Sequence, residues 1–183
     1  MLLIRGRIYG LFFITIMNTV KISLKDSIIG AVINAVINYF VASHAFADKL
    51  HVPMSLDMIS TTEVSVWGQA VSLSFGLGAI LSFITAKLFS SHTMKQSPHL
   101  KPQISSVKLP SLLSISLNNT MFLFGWFVAL AILWTRYFGV VLVPVVSASA
   151  IVAIIAFVVT MIVEQRTKTN FVQRWESALN TNN

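Results

Sequence analysis

His44, Asp48 and His51 stand four and three residues apart. On a helix running as far as Val52, just before Pro53, that spacing puts all three on one face. Imidazoles beside a carboxylate would suit a divalent metal or a proton relay, with Asp57 or Glu63 as a further ligand. A plain polar helix end is the simpler reading and takes precedence, because the sequence does not place the remaining ligands that a metal needs. A second set of candidates is made of amides: Asn34 and Asn38 one helical turn apart, Gln69, and the pair Asn118 and Asn119, all inside long apolar runs. A side-chain amide in hydrocarbon must find a partner. These residues either hydrogen-bond across helices and fix their register, or line a polar groove for a small solute or lipid. Pairing needs no ligand and comes first. The groove reading makes Asn34, Asn38, Gln69 and Asn119 the ligand-binding candidates. Asn118-Asn119-Thr120 also matches a glycosylation acceptor, but the match has no meaning at membrane depth.

The surroundings of these residues say what kind of protein holds them. The chain is 10% charged and 55% hydrophobic, too little charge to dress the surface of a soluble domain of this size. Its net charge of +7 does not make it a nucleic-acid binder, since phosphate recognition needs Lys and Arg gathered on one accessible face. Here they lie in separate segments between apolar runs. The absence of cysteine excludes disulfides, thiolate metal sites and thiol nucleophiles. No HExxH, GxSxG or phosphate-cradling glycine loop occurs. Neither an enzymatic activity nor a cofactor is expected.

A hydrocarbon core of about 30 Å needs about 20 apolar residues in helix. Four runs qualify: Ile28 to Ala47, Val64 to Phe89, Leu112 to Thr135 and Val140 to Val163. The expected fold is therefore an all-α polytopic membrane protein, a four-transmembrane-helix bundle over residues 27–163. It is preceded by an N-terminal segment over 1–26 and followed by a tail over 164–183. Ile8 to Met17 is apolar but too short to span. Met17-Asn18-Thr19-Val20-Lys21 reads as a polar start ahead of the first span, with Met17 as initiator; an interfacial or disordered segment is the alternative. In the tail, Phe171, Val172, Trp175 and Leu179 recur at helical spacing among polar residues, which predicts an amphipathic helix on the inner membrane surface.

Lys and Arg collect on the cytoplasmic side of short loops. Of the thirteen in the chain, only Lys49 and Arg136 fall on one side of these spans. The remaining eleven, among them Lys25, Lys87, Lys95, Lys101, Lys108, Arg166 and Lys168, fall on the other. Both termini are expected to be cytoplasmic, in the inner (plasma) membrane. Trp67, Trp134 and Tyr137 then mark the outer interface, while Trp126, deep in the third span, is expected to pack between helices. The basic loop with His92 and His99 would meet anionic headgroups. Ser60 and Glu63 form a capping box for the second span.

Helices in lipid associate through small residues and interhelical hydrogen bonds. The second span carries two lines of small residues, Gly68/Ser72/Gly76 and Gly78/Ser82/Ala86. In the first, Gly30, Ala31, Asn34, Ala35, Asn38 and Ala42 fall opposite Ile29, Val32, Ile33, Val36 and Phe40. No Asp, Glu, Lys or Arg lies in the central part of any span, which argues against proton-coupled transport. Two functions follow from the residues: a permease-like module that handles a small solute or lipid through the amide groove, or a non-transporting accessory or regulatory membrane protein. The bilayer, a second copy of the chain or a membrane protein would be its partners, and nucleic acid would not.

Overall fold

The computed structural model describes residues 24–55, 64–96 and 112–181. Four helices make up almost all of them: α1 (Leu24–Ala45), α2 (Val66–Gln96), α3 (Leu112–Phe138) and α4 (Val145–Thr181). Two short strands, β1 (His51–Met54) and β2 (Val141–Pro144), pair antiparallel with His51 opposite Pro144 and Met54 opposite Val141. All four helices are long and apolar enough to cross a membrane. The reading of residues 1–23, including the initiator at Met17, lies outside the described residues.

The helix ends follow local chemistry. Ser65 starts α2, its Oγ accepting a hydrogen bond from the Gly68 backbone N–H at 3.0 Å, as an N-cap does. The expected capping pair, Ser60 and Glu63, lies outside the described residues. α3 continues three residues beyond Thr135 and stops at Gly139. There a φ of 65° is open to glycine, and the Gly139 N–H bonds back to the Thr135 carbonyl at 3.0 Å. The fourth span does not begin at Val140 as expected. Pro144 disfavours helical backbone at Val143, and Val141–Pro144 pairs as β2 instead. Pro53 and Pro144 fall at rungs of the same parity, so both can occupy positions that require no N–H in the ladder.

α4 is the central element. It packs against α1, α2 and α3, whereas α1 makes its main contacts with α4 alone. The predicted faces of α1 are found: Ser27, Ala31 and Ala42 are buried, while Val32, Ile33, Val36 and Phe40 are exposed. One apolar cluster unites Ala42, Phe46, Val52, Met54, Val66, Ala148 and Val152, closing the end of the bundle that carries the β ribbon. A second, formed by Ala70, Val71, Leu123, Phe127, Ala131, Val159 and Val163, lies between α2, α3 and α4.

Three expectations are corrected. Residues after Val163 do not form a separate surface helix: α4 is continuous, Thr167 and Phe171 are buried, and the Phe171 ring meets Phe89 at 5.8 Å. The α2 side of this contact, Phe89, is the last residue of the expected second span, and α2 continues past it to Gln96. Trp126 is not wedged between helices but 56% exposed, edge-on to Phe122. Of the two small-residue lines on α2, only one makes the contact. Gly78, Ser82 and Ala86 are buried, whereas Ser72 is exposed and a Cβ at Gly76 would meet nothing within 4 Å.

At Gly78 a Cβ would stand 3.0 Å from the Thr120 Cα, a backbone atom that cannot yield without moving α3. Gly78→Ala is expected to cost about 1–3 kcal/mol. Gly125→Ala, on open surface, should change stability by less than about 1 kcal/mol. Equilibrium unfolding in mixed micelles checks the pair.

Candidate functional site

The polar residues within the bundle gather along α4, in clusters at different depths. The first joins α1 to α4. Asn34 Nδ2 donates to Thr160 Oγ1 at 2.6 Å, and Asn38 Nδ2 donates to the Asn34 carbonyl at 2.8 Å and to Asn34 Oδ1 at 3.0 Å. The Thr160 hydroxyl donates in turn to the Ala156 carbonyl at 2.8 Å. Asn34 thus reaches across to the partner helix and Asn38 braces it from one turn away. This is the pairing that the four-residue spacing permits.

Two turns further along α4 lies a hub. Asn119 is fully buried. Its Nδ2 donates to Ser82 Oγ at 3.3 Å and to Thr167 Oγ1 at 2.9 Å, and its Oδ1 accepts from Arg166 Nε at 3.4 Å and Asn170 Nδ2 at 3.3 Å. A side-chain amide has two donors and two acceptor positions, so none is left for a solute. Nearby, Ser116 Oγ donates to the Ala79 carbonyl at 2.6 Å, a second bond between α2 and α3. The Arg166 guanidinium stands over the Phe122 ring, its Cζ 3.8 Å from the centroid.

A third cluster ties the start of α1 to α4. Ser27 Oγ accepts from Lys168 Nζ at 2.9 Å and from Gln165 Nε2 at 3.2 Å, and Lys168 Nζ also meets Glu164 Oε2 at 3.0 Å. A Cβ at Gly30 would come 3.0 Å from Glu164 Oε1, so the absence of a side chain there lets the carboxylate settle against α1. The Glu164–Lys168 pair is an i,i+4 pair with each side chain less than 15% exposed.

The predicted groove is not assembled by these contacts. The partners of Asn34 and Asn119 on α4, Thr160 and Thr167, are seven residues or about 10 Å apart along the helix axis. Gln69 is half-buried and stands thirteen residues, about 20 Å, from Ser82, the α2 partner of Asn119. Asn118, the neighbour of Asn119, is exposed. The histidine face is also lost. α1 ends at Ala45, Asp48 falls in a turn and His51 opens β1, so the helical spacing that would have aligned His44, Asp48 and His51 does not exist. All three are exposed, and among the described residues no group of three or more His, Cys, Asp or Glu is placed to hold a metal ion. Asp57 and Glu63 lie outside the described residues.

Several members of the network carried no signal as single residues. Thr160 lies in the expected fourth span and Thr167 in the expected tail, but the two are seven apart, which is one face of a helix. Glu164 and Lys168, in what looked like a tail, had the spacing of a helix pair. Near the ribbon end, Trp67 Nε1, Trp134 Nε1 and Ser149 Oγ are buried with no hydrogen-bond partner. The two indoles pack at 6.1 Å between centroids.

Searched against protein-family models, curated proteins and solved structures, the chain matches none. The fold and its polar network define a class and no more: a helical bundle with four helices fit to cross a membrane, held together by interhelical hydrogen bonds.

The two amide clusters should differ in weight. Asn119→Ala removes the bonds that join α3 to α2 and α4 and is expected to destabilise by about 2 kcal/mol. Asn38→Ala removes bonds within α1 only and should cost about 0.6 kcal/mol. Unfolding of each purified variant in mixed micelles gives the two values.

Proposed function

We propose that this protein is a non-transporting accessory membrane protein, which associates with a protein partner or a second copy of itself rather than conducting a solute. The observation that favours this reading is the saturation of Asn119, whose four hydrogen-bonding positions are all taken by Ser82, Thr167, Arg166 and Asn170. A transport groove needs polar groups that exchange protein partners for a solute. Asn34 and Asn38 are likewise engaged with each other and with Thr160, and no ionisable residue stands in the middle of a span to couple transport to a gradient.

The association surface fits the exposed side of α1. That helix touches the bundle chiefly through α4, leaving Ile29, Val32, Ile33, Val36, Ile37 and Phe40 outward. In this proposal the chain sits in the inner membrane with Lys25, Lys87 and Lys95 on the cytoplasmic side, as eleven of its thirteen Lys and Arg suggest.

The native chain has no cysteine, so single cysteines at Asn34 and Asn38 can be read without background. Neither is expected to react with a membrane-impermeant thiol reagent in intact cells or inverted vesicles. Reaction at either site from the aqueous phase would reject the accessory reading and restore the solute groove.

A further inference from the structure

Arg166 and Trp126 are both unexplained by the packing of the bundle. Arg166 is partly buried; its Nε donates to Asn119 Oδ1 and its Cζ stands over the Phe122 ring. Its two Nη groups have no partner among the described residues. Trp126 belongs to the residue type that favours the membrane interface, yet it sits in the middle of α3 with 56% of its surface open. Asn118, Phe122 and Trp126 are four residues apart, so they form one line along α3. All three are exposed. Phe122 and Trp126 meet edge to face at 6.4 Å, and Arg166 of α4 lies over Phe122. The line therefore runs from an exposed amide, past a fixed guanidinium, to two exposed aromatic rings.

The depth of these groups gives the order a meaning. Arg166 is twenty-one residues, about 32 Å, from the start of α4 at Val145. That is about the thickness of the hydrocarbon core, which puts the guanidinium at the headgroup boundary of the leaflet that meets the basic end of the bundle. Asn118 is near the same boundary, about 9 Å into α3. Phe122 and Trp126 extend from there towards the bilayer centre.

We infer that this face of α3, completed by Arg166, binds an anionic phospholipid. Its phosphate lies against the free Nη groups of Arg166 and the amide of Asn118, and one acyl chain lies along Phe122 and Trp126. Arg is suited to this because its planar fork matches phosphate oxygens in pairs, and Asn119 and Phe122 hold that fork at a set angle before the lipid arrives. A zwitterionic lipid offers the same phosphate but brings a choline group whose positive charge opposes the guanidinium.

The test uses the full chain reconstituted in phosphatidylcholine vesicles that contain phosphatidylglycerol or phosphatidylcholine with brominated acyl chains, which quench tryptophan on contact. Subtracting the signal of Trp126→Phe isolates Trp126. Brominated phosphatidylglycerol is expected to compete for the site about five-fold better than brominated phosphatidylcholine, the preference one basic residue gives at a membrane surface. Arg166→Gln should abolish that preference and Arg166→Lys should keep part of it. Added inorganic phosphate should not displace the lipid. Equal quenching by both headgroups in the wild-type chain overturns the inference, and that comparison stands even where Arg166→Gln fails to fold. Displacement by inorganic phosphate overturns it in favour of a free-anion site, and no quenching by either lipid overturns it in favour of a protein-covered face.

Discussion

A buried amide in a hydrocarbon slab has no water to fall back on, and each unmet donor or acceptor is costly. At Asn119 all four are met, by residues on α2 and α4 while Asn119 itself sits on α3. The consequence goes beyond one side chain. Apolar packing discriminates weakly between helix registers, because lipid tails are as apolar as leucine. Sliding or turning any of the three helices would break one or more of these bonds. The Gly78 contact with Thr120 and the Ser116 bond to Ala79 agree with that register rather than set it independently, since each tolerates the same narrow approach of α2 to α3.

α1 is held by the same kind of constraint, applied along a seam. Ser27, Gly30 and Asn34 meet Lys168, Glu164 and Thr160 in antiparallel order, and Ala42 continues the face into the apolar cluster with Phe46, Ala148 and Val152. Polar contact dominates one half of the seam and apolar contact the other. The ribbon then joins the chain just after α1 to the chain just before α4, so both ends of the α1–α4 pair are fastened. The helix with the least buried surface is thereby kept in place without needing a second helix neighbour.

The spans were legible because hydropathy is a property of length and composition, which the four runs state without reference to each other. The two faces of α1 were legible too, since residues 29 to 42 separate small and amide side chains from branched and aromatic ones at helical period. What could not be read was decided by contacts between distant segments. β2 replaces the first turn of the expected fourth helix because Pro144 restricts Val143 and a strand partner exists ninety-one residues earlier at Val52. The stretch after Val163 reads as a surface amphipathic tail because its apolar residues are sparse, and only the packing of α4 against the end of α2 shows that Phe171 faces Phe89. Asn34, Asn38 and Asn119 enter hydrogen bonds within the bundle, but grouping the amides into one groove requires a common depth, which the positions of Thr160 and Thr167 on α4 do not give.

Polarity is also unevenly spread along the bundle axis. The half near Arg166 and Lys168 is joined by hydrogen bonds and an ion pair, whereas the half under the ribbon is filled by Phe46, Val52, Val66, Ala148 and Val152. A solute entering from the polar half would meet Asn119 already satisfied, and beyond Thr160 it would meet that apolar cluster. The polar atoms left over beneath the ribbon, Trp67 Nε1, Trp134 Nε1 and Ser149 Oγ, are not joined to the clusters below by any hydrogen bond among the described residues. The polar groups of α4 act as fasteners at separate heights, and an arrangement of that kind favours a bundle that keeps its shape.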